Sequence, residues 1–184
     1  DPGERPKDGV ELAKLLRQAL GLGAMSGGSG VVASPVDGGS DLAKEYEEYL
    51  RWALRGNGTR GWLVERYVDR IGWWERAAEG GDARAMVLVG DCYEEGLGVL
   101  RDYGEAMKWY RKAADAGNAA AMNDIGVLYA NGLGVSEDYA EAMKWYRKAA
   151  DAGNAMAMYN IGWLYQNGWG VSQDYAEAMR WYRK

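Results

Sequence analysis

The sequence predicts an all-α fold, a right-handed α-solenoid of stacked helix–turn–helix units, and two observations carry that expectation. Residues 113–148 and 149–184 are nearly identical 36-residue blocks, and residues 77–112 repeat the scheme without insertion or deletion. A fixed period of this length marks a stack in which each unit buries its apolar face against its neighbours. Within each block, apolar residues also recur at helical spacing between capping and breaking residues.

The first helix of a block opens at Asp82, Asn118 or Asn154, each a good N-cap type placed after a glycine that suits the end of the preceding helix. Val89/Cys92/Tyr93, Ile125/Leu128/Tyr129 and Ile161/Leu164/Tyr165 form its apolar stripe. Ala85/Gly90, Ala121/Gly126 and Ala157/Gly162 are small enough to let backbones approach closely. A glycine pair then breaks the helix: Gly96 and Gly98, Gly132 and Gly134, Gly168 and Gly170. The second helix starts with Asp102–Glu105, Asp138–Glu141 or Asp174–Glu177, the D-x-x-E spacing of a reciprocal capping box. Its core face is Ala106/Trp109/Tyr110/Ala113 and their equivalents. Lys108, Arg111 and Lys112 follow towards the end of the helix, an order that suits its dipole.

The recurring pattern A-x3-(I/V)-G-x2-Y-x2-G-x-G-V-x2-D-Y-x2-A-x2-W-Y-x-K-A-A-x2-G resembles the Sel-one-like repeat (SLR), a relative of the tetratricopeptide repeat. The likeness covers 77–184 and extends weakly over 70–82, where Ile71, Trp73, Ala77, Ala78 and Gly81 fall in second-helix register. The resemblance implies an α-solenoid adaptor that brings partner proteins together, with no catalytic residues. Its motif consists of packing residues, so it speaks for the fold rather than for a partner.

Upstream, 41–76 reads as N-terminal capping helices, with Trp52, Trp62 and Trp73 closing the core. Residues 1–40 read as a flexible tail containing a Gly/Ser-rich linker, in which SGGSG at 26–30 is either native or an engineered join. Within the tail, 9–20 places Leu12, Leu15, Leu16, Ala19 and Leu20 on one face of a short amphipathic helix. That segment is a candidate intramolecular ligand for the array.

Composition narrows the function. A net charge of -5 and a pI near 4.9 argue against nucleic acid, whose phosphates call for a basic surface. No apolar run reaches the ~18 residues of a membrane span and no secretory leader is visible, which leaves the compartment open with a lean to the cytoplasm. Histidine is absent, removing the commonest general base and metal ligand. The single cysteine, Cys92, aligns with Leu128 and Leu164 and reads as a core residue. Gly96-x-Gly98 joins two helices and lacks the strand of a nucleotide-binding loop. Lys144, Arg147 and Lys148 read as a solvated outer face, and Asn57-Gly-Thr59 is a glycosylation sequon in spelling only. The expectation is a non-enzyme without cofactor or metal.

The two closest blocks differ at Ala120/Met156, Asn123/Tyr159, Asp124/Asn160, Val127/Trp163, Ala130/Gln166, Leu133/Trp169, Glu137/Gln173 and Lys144/Arg180. The first five pairs lie on one face of the first helix. Residues that only pack against neighbouring blocks should be held alike, so a varying face is expected to be free of that duty and to line the concave side. The predicted peptide-binding face is Arg84, Val87, Leu88, Asp91 and Glu94 in the first block. Asn123, Asp124, Val127 and Asn131 continue it in the second, and Met156, Tyr159, Asn160, Trp163, Gln166 and Asn167 in the third. Its asparagines are expected to bond a peptide backbone. The expected partner is an amphipathic helix or extended segment with apolar anchors and some positive charge. Two alternatives stand beside this reading: an accessory piece of a larger enzyme, and an array that associates with itself through an open C-terminal end.

Overall fold

The computed structural model describes Lys44 and residues 70–184. The tail 1–40, with its candidate helix 9–20, and residues 41–43 and 45–69 of the capping region lie outside the described residues. Among the described residues the chain forms helices and no strand: α1 (Ile71–Glu79), α2 (Ala83–Glu95), α3 (Tyr103–Asp115), α4 (Ala119–Asn131), α5 (Tyr139–Asp151), α6 (Ala155–Asn167) and α7 (Tyr175–Tyr182). Each helix packs against the next in sequence, the order of an all-α solenoid. Here α2, α4 and α6 are the first helices of the three repeats; α3, α5 and α7 are the second.

The caps follow the sequence signals. Asp82 accepts from the amides of Arg84 and Ala85, Asn118 from Ala120 and Ala121, and Asn154 from Ala157. Each first helix ends at a left-handed glycine; Gly132, for instance, has φ 62° and returns its N–H to the last turn. The second helices are capped by Asp102, Asp138 and Asp174, but the reciprocal half of the capping box does not form. The backbone N–H of each cap aspartate is already given to the carbonyl of Tyr93, Tyr129 or Tyr165, at 2.8, 2.9 and 2.9 Å. Glu105, Glu141 and Glu177 turn outward and pair with Lys108, Lys144 and Arg180 at 2.6, 2.7 and 2.9 Å.

Among the described residues the interior is three apolar clusters, each spanning a junction. Ile71, Trp74 and Ala78 of α1 meet Ala85, Leu88, Val89 and Cys92 of α2. Val87 of α2 joins Ala106, Met107, Tyr110 and Ala113 of α3 with Ala121, Ile125 and Leu128 of α4. Ala130, Met143, Tyr146, Ala157, Ile161 and Leu164 repeat that arrangement one unit on. Each of α3 and α5 is therefore held between the first helices of its own unit and the next. Close approach rests on a glycine–tyrosine contact, in which Tyr110, Tyr146 and Tyr182 lie across Gly90, Gly126 and Gly162.

Candidate protein-binding surface

The varying stripe of the first helices is a junction before it is a surface. Val87, Asn123 and Tyr159 share one register and are 1%, 7% and 53% exposed. Val87 lies in the cluster with α4, and Asn123 Oδ1 accepts from Asn160 Nδ2 of α6 at 3.0 Å. Helices α2 and α4 thus turn these positions towards the following unit. Val87 and Asn123 vary although they are buried, so variation alone does not mark a position free of packing, contrary to the expectation from sequence. Leu88 is enclosed at 1% exposure, Asp91 and Ala130 are buried, and Val127 is half-buried against the third cluster.

The polar members of the stripe make bonds within the fold. Arg84 grips its own N-cap, with Nε and Nη2 on Asp82 at 3.2 and 2.9 Å, and this guanidinium holds the Asp82 carboxyl below its ordinary range. Asn123 Nδ2 donates to Asp124 Oδ1 at 3.2 Å. Asn131 and Asn167 Nδ2 return to the carbonyls of Val127 and Trp163, both at 2.8 Å. Gln166 Oε1 accepts from the Tyr182 hydroxyl at 2.9 Å. These bonds use one amide hydrogen each of Asn123, Asn131, Asn160 and Asn167 within the fold.

Exposed apolar area gathers at the third repeat. Met156, Tyr159, Trp163 and Trp169 are 44%, 53%, 37% and 37% exposed. Trp163 meets Trp169 edge to face at 4.4 Å between ring centroids, and Trp169 reaches back to Tyr139 at the start of α5 at 5.0 Å. Tyr159 lies 5.3 Å from Tyr182. Three aromatic side chains from α6, its loop and α5 therefore form one ridge crossing the second and third repeats. Tyr139 was missed from sequence, because its register holds tyrosine in all three blocks and gives no signal of its own.

At the other end the stripe is acidic. The Tyr110 hydroxyl bridges Asp91 Oδ1 and Glu94 Oε2. Burial, then the neighbouring charge of Glu95, pushes Glu94 up against the lowering effect of its Tyr110 bond. Asp124 is pushed up to about 7 by burial and by Glu94.

The remaining motifs settle as packing. Cys92 is buried, and that burial drives its thiol well above the usual range, against a role as nucleophile. Among the described residues no group of acidic, cysteine or histidine side chains is placed to hold a metal ion, and no helix is long and apolar enough to cross a membrane. On the second helices, Lys112, Lys148 and Lys184 lie 3.8, 4.1 and 3.4 Å over the rings of Trp109, Trp145 and Trp181. Arg111 and Arg147 reach the hydroxyls of Tyr129 and Tyr165 in the following unit, at 3.0 and 3.1 Å. The outer face is thus solvated but stitched, which charge spacing alone did not reveal.

Stacked helical pairs with shared junction cores define a tetratricopeptide-like repeat protein. The Sel1 repeat profile matches residues 71–82, 83–118, 119–154 and 155–184, more than half of the chain. The chain belongs to the Sel1 repeat family, whose members are generally protein–protein interaction modules and typically non-catalytic. The profile divides the copies at the first-helix N-caps, so α1 and its turn form a partial unit ahead of three others. A crystal structure of a Sel1 repeat protein from Oxalobacter formigenes is similar at 37% identity and TM-score 0.59, covering 67% of this chain and 52% of that one. A protective antigen present in uropathogenic Escherichia coli strains, with an SLR fold, is similar at 30% identity and TM-score 0.61, covering 96% of this chain and 33% of that one. The chain therefore spans about half of the first relative and a third of the second. No curated protein matches it.

Proposed function

We propose that this chain is a protein-interaction module that holds an amphipathic helix or extended segment of a partner along its first-helix face, anchored at the third repeat. The observation that carries the reading is the ridge of Trp163, Trp169 and Tyr139, flanked by Met156 and Tyr159. Contiguous exposed aromatic area is costly in water and is the usual material of binding hot spots. Val87 and Leu88 lie beneath the surface, so they shape the face without touching a ligand.

Peptides selected from a random library on the intact chain supply the test. Trp163→Ala and Trp169→Ala should each weaken the selected peptide about tenfold or more, the scale of a hot-spot side chain. Equal binding by both variants contradicts the placement. The same titration with residues 1–25 removed asks whether the segment at 9–20 competes for the face, in which case affinity rises.

A further inference from the structure

In the first repeat, the phenol oxygen of Tyr110 stands 2.6 Å from Asp91 Oδ1 and 2.6 Å from Glu94 Oε2. A phenol has one hydrogen to donate and an ionised carboxylate has none. If both carboxyls were ionised, one of these contacts would set lone pair against lone pair at the length of a charge-assisted O–H···O bond. Two such bonds need two hydrogens. We infer that one of Asp91 and Glu94 is held as the neutral acid at neutral pH, donating to Tyr110 while Tyr110 donates to the other, and that loss of this proton loosens the joint between the first and second repeats. This stands apart from the binding proposal and does not depend on it.

The surroundings favour that proton. The proton belongs to the pair and not to either residue alone, but burial of Glu94 and the charge of Glu95 both favour its neutral form. Across the joint, Asp124 of α4 is pushed up to about 7 by burial and then by the charge of Glu94. Asp124 in turn adds to the effect of burial in raising the Tyr146 hydroxyl of α5. Arg84, on the same helix as the pair, holds Asp82, and on the α1 side Asp91 and Glu75 both act on Cys92. Ionising Glu94 and Asp124 together therefore sets like charges against each other where Tyr110 packs with Val87, Ile125 and Leu128.

The other repeats keep the tyrosine without this requirement. Tyr182 donates to neutral Gln166 at 2.9 Å, in the register of Glu94. Val127 and Ala130 replace the two acids beside Tyr146. The proton-holding pair thus belongs to the first joint.

Both Glu94 and Asp124 have folded values raised above the ordinary carboxylate range, so the fold binds their protons more tightly than the unfolded chain does. Their contribution to stability is complete below the unfolded range and is lost as pH climbs through the folded values, towards about 7 for Asp124.

Infrared spectroscopy of the full chain tests the proton directly. In the Asp124→Asn background, neutral pH should leave a protonated-carboxyl carbonyl band that disappears on adding Glu94→Gln. Both replacements are present in the third repeat as Asn160 and Gln166. The native chain should also lose melting temperature between about pH 5 and pH 8, a slope that Glu94→Gln flattens. If Glu94→Gln does not fold, Asp91→Asn serves in its place, with the same loss of band expected. No protonated-carboxyl band at neutral pH in the Asp124→Asn chain, or a melting slope identical with and without Glu94→Gln, overturns the inference.

Discussion

At the scale of single residues, the glycine–tyrosine contact sets the spacing within each repeat. A Cβ on Gly126 would fall 2.5 Å from Tyr146 Cε1 and 2.6 Å from Cδ1. Tyr146 cannot withdraw, because its ring is enclosed in the third cluster. In an exposed helix, exchanging glycine for alanine stabilises by up to about 1 kcal/mol; here Gly126→Ala should instead destabilise by about 1–3 kcal/mol, the cost of overpacking. Chemical denaturation gives the sign, and a neutral or stabilising result would mean that the tyrosine is free to move. Sequence named Gly126 as a site of close approach because it is the small residue of a regular stripe. It did not name the tyrosine that lies on it, since period and spacing report a helix face and not its partner across the interior.

At the scale of elements, the two glycines of the loop between α4 and α5 have different duties. Gly132 ends α4, whereas Gly134 lies against the preceding repeat, where a Cβ would stand 2.7 Å from Tyr103 Cβ and 2.9 Å from its backbone. Gly117 also has a positive φ, of 85°, but a Cβ there meets nothing within 4 Å. Gly117→Ala should therefore cost only the left-handed strain of about 1–2 kcal/mol, and Gly134→Ala distinctly more. Equal losses in urea denaturation would show that the loop does not key one unit to the next. Helix limits and N-caps were legible in the sequence because they depend on residues within one turn. The half-formed capping boxes were not legible, because the competing acceptor, a carbonyl of Tyr93, Tyr129 or Tyr165, belongs to the preceding helix.

At the scale of the whole molecule, the period alone was enough for the solenoid, since each unit of this length lacks the means to bury its own face. The candidate surface was only partly legible. Comparing blocks separated changing from constant positions, but Val87, Asn123 and Ala130 change and are nonetheless buried within the stack. What remains exposed among the described residues is centred on Trp163 and Trp169, whose counterparts Val127 and Leu133 pack against the apolar clusters, with Tyr139 added by folding. The most direct measurement of that claim follows the indole N–H resonances of the chain by nuclear magnetic resonance while a selected peptide is added. The account predicts that the signals of Trp163 and Trp169 move, while those of Trp109 and Trp145, on the second helices, stay in place. Shifts confined to Trp109 and Trp145 would contradict it and put the partner on the opposite face.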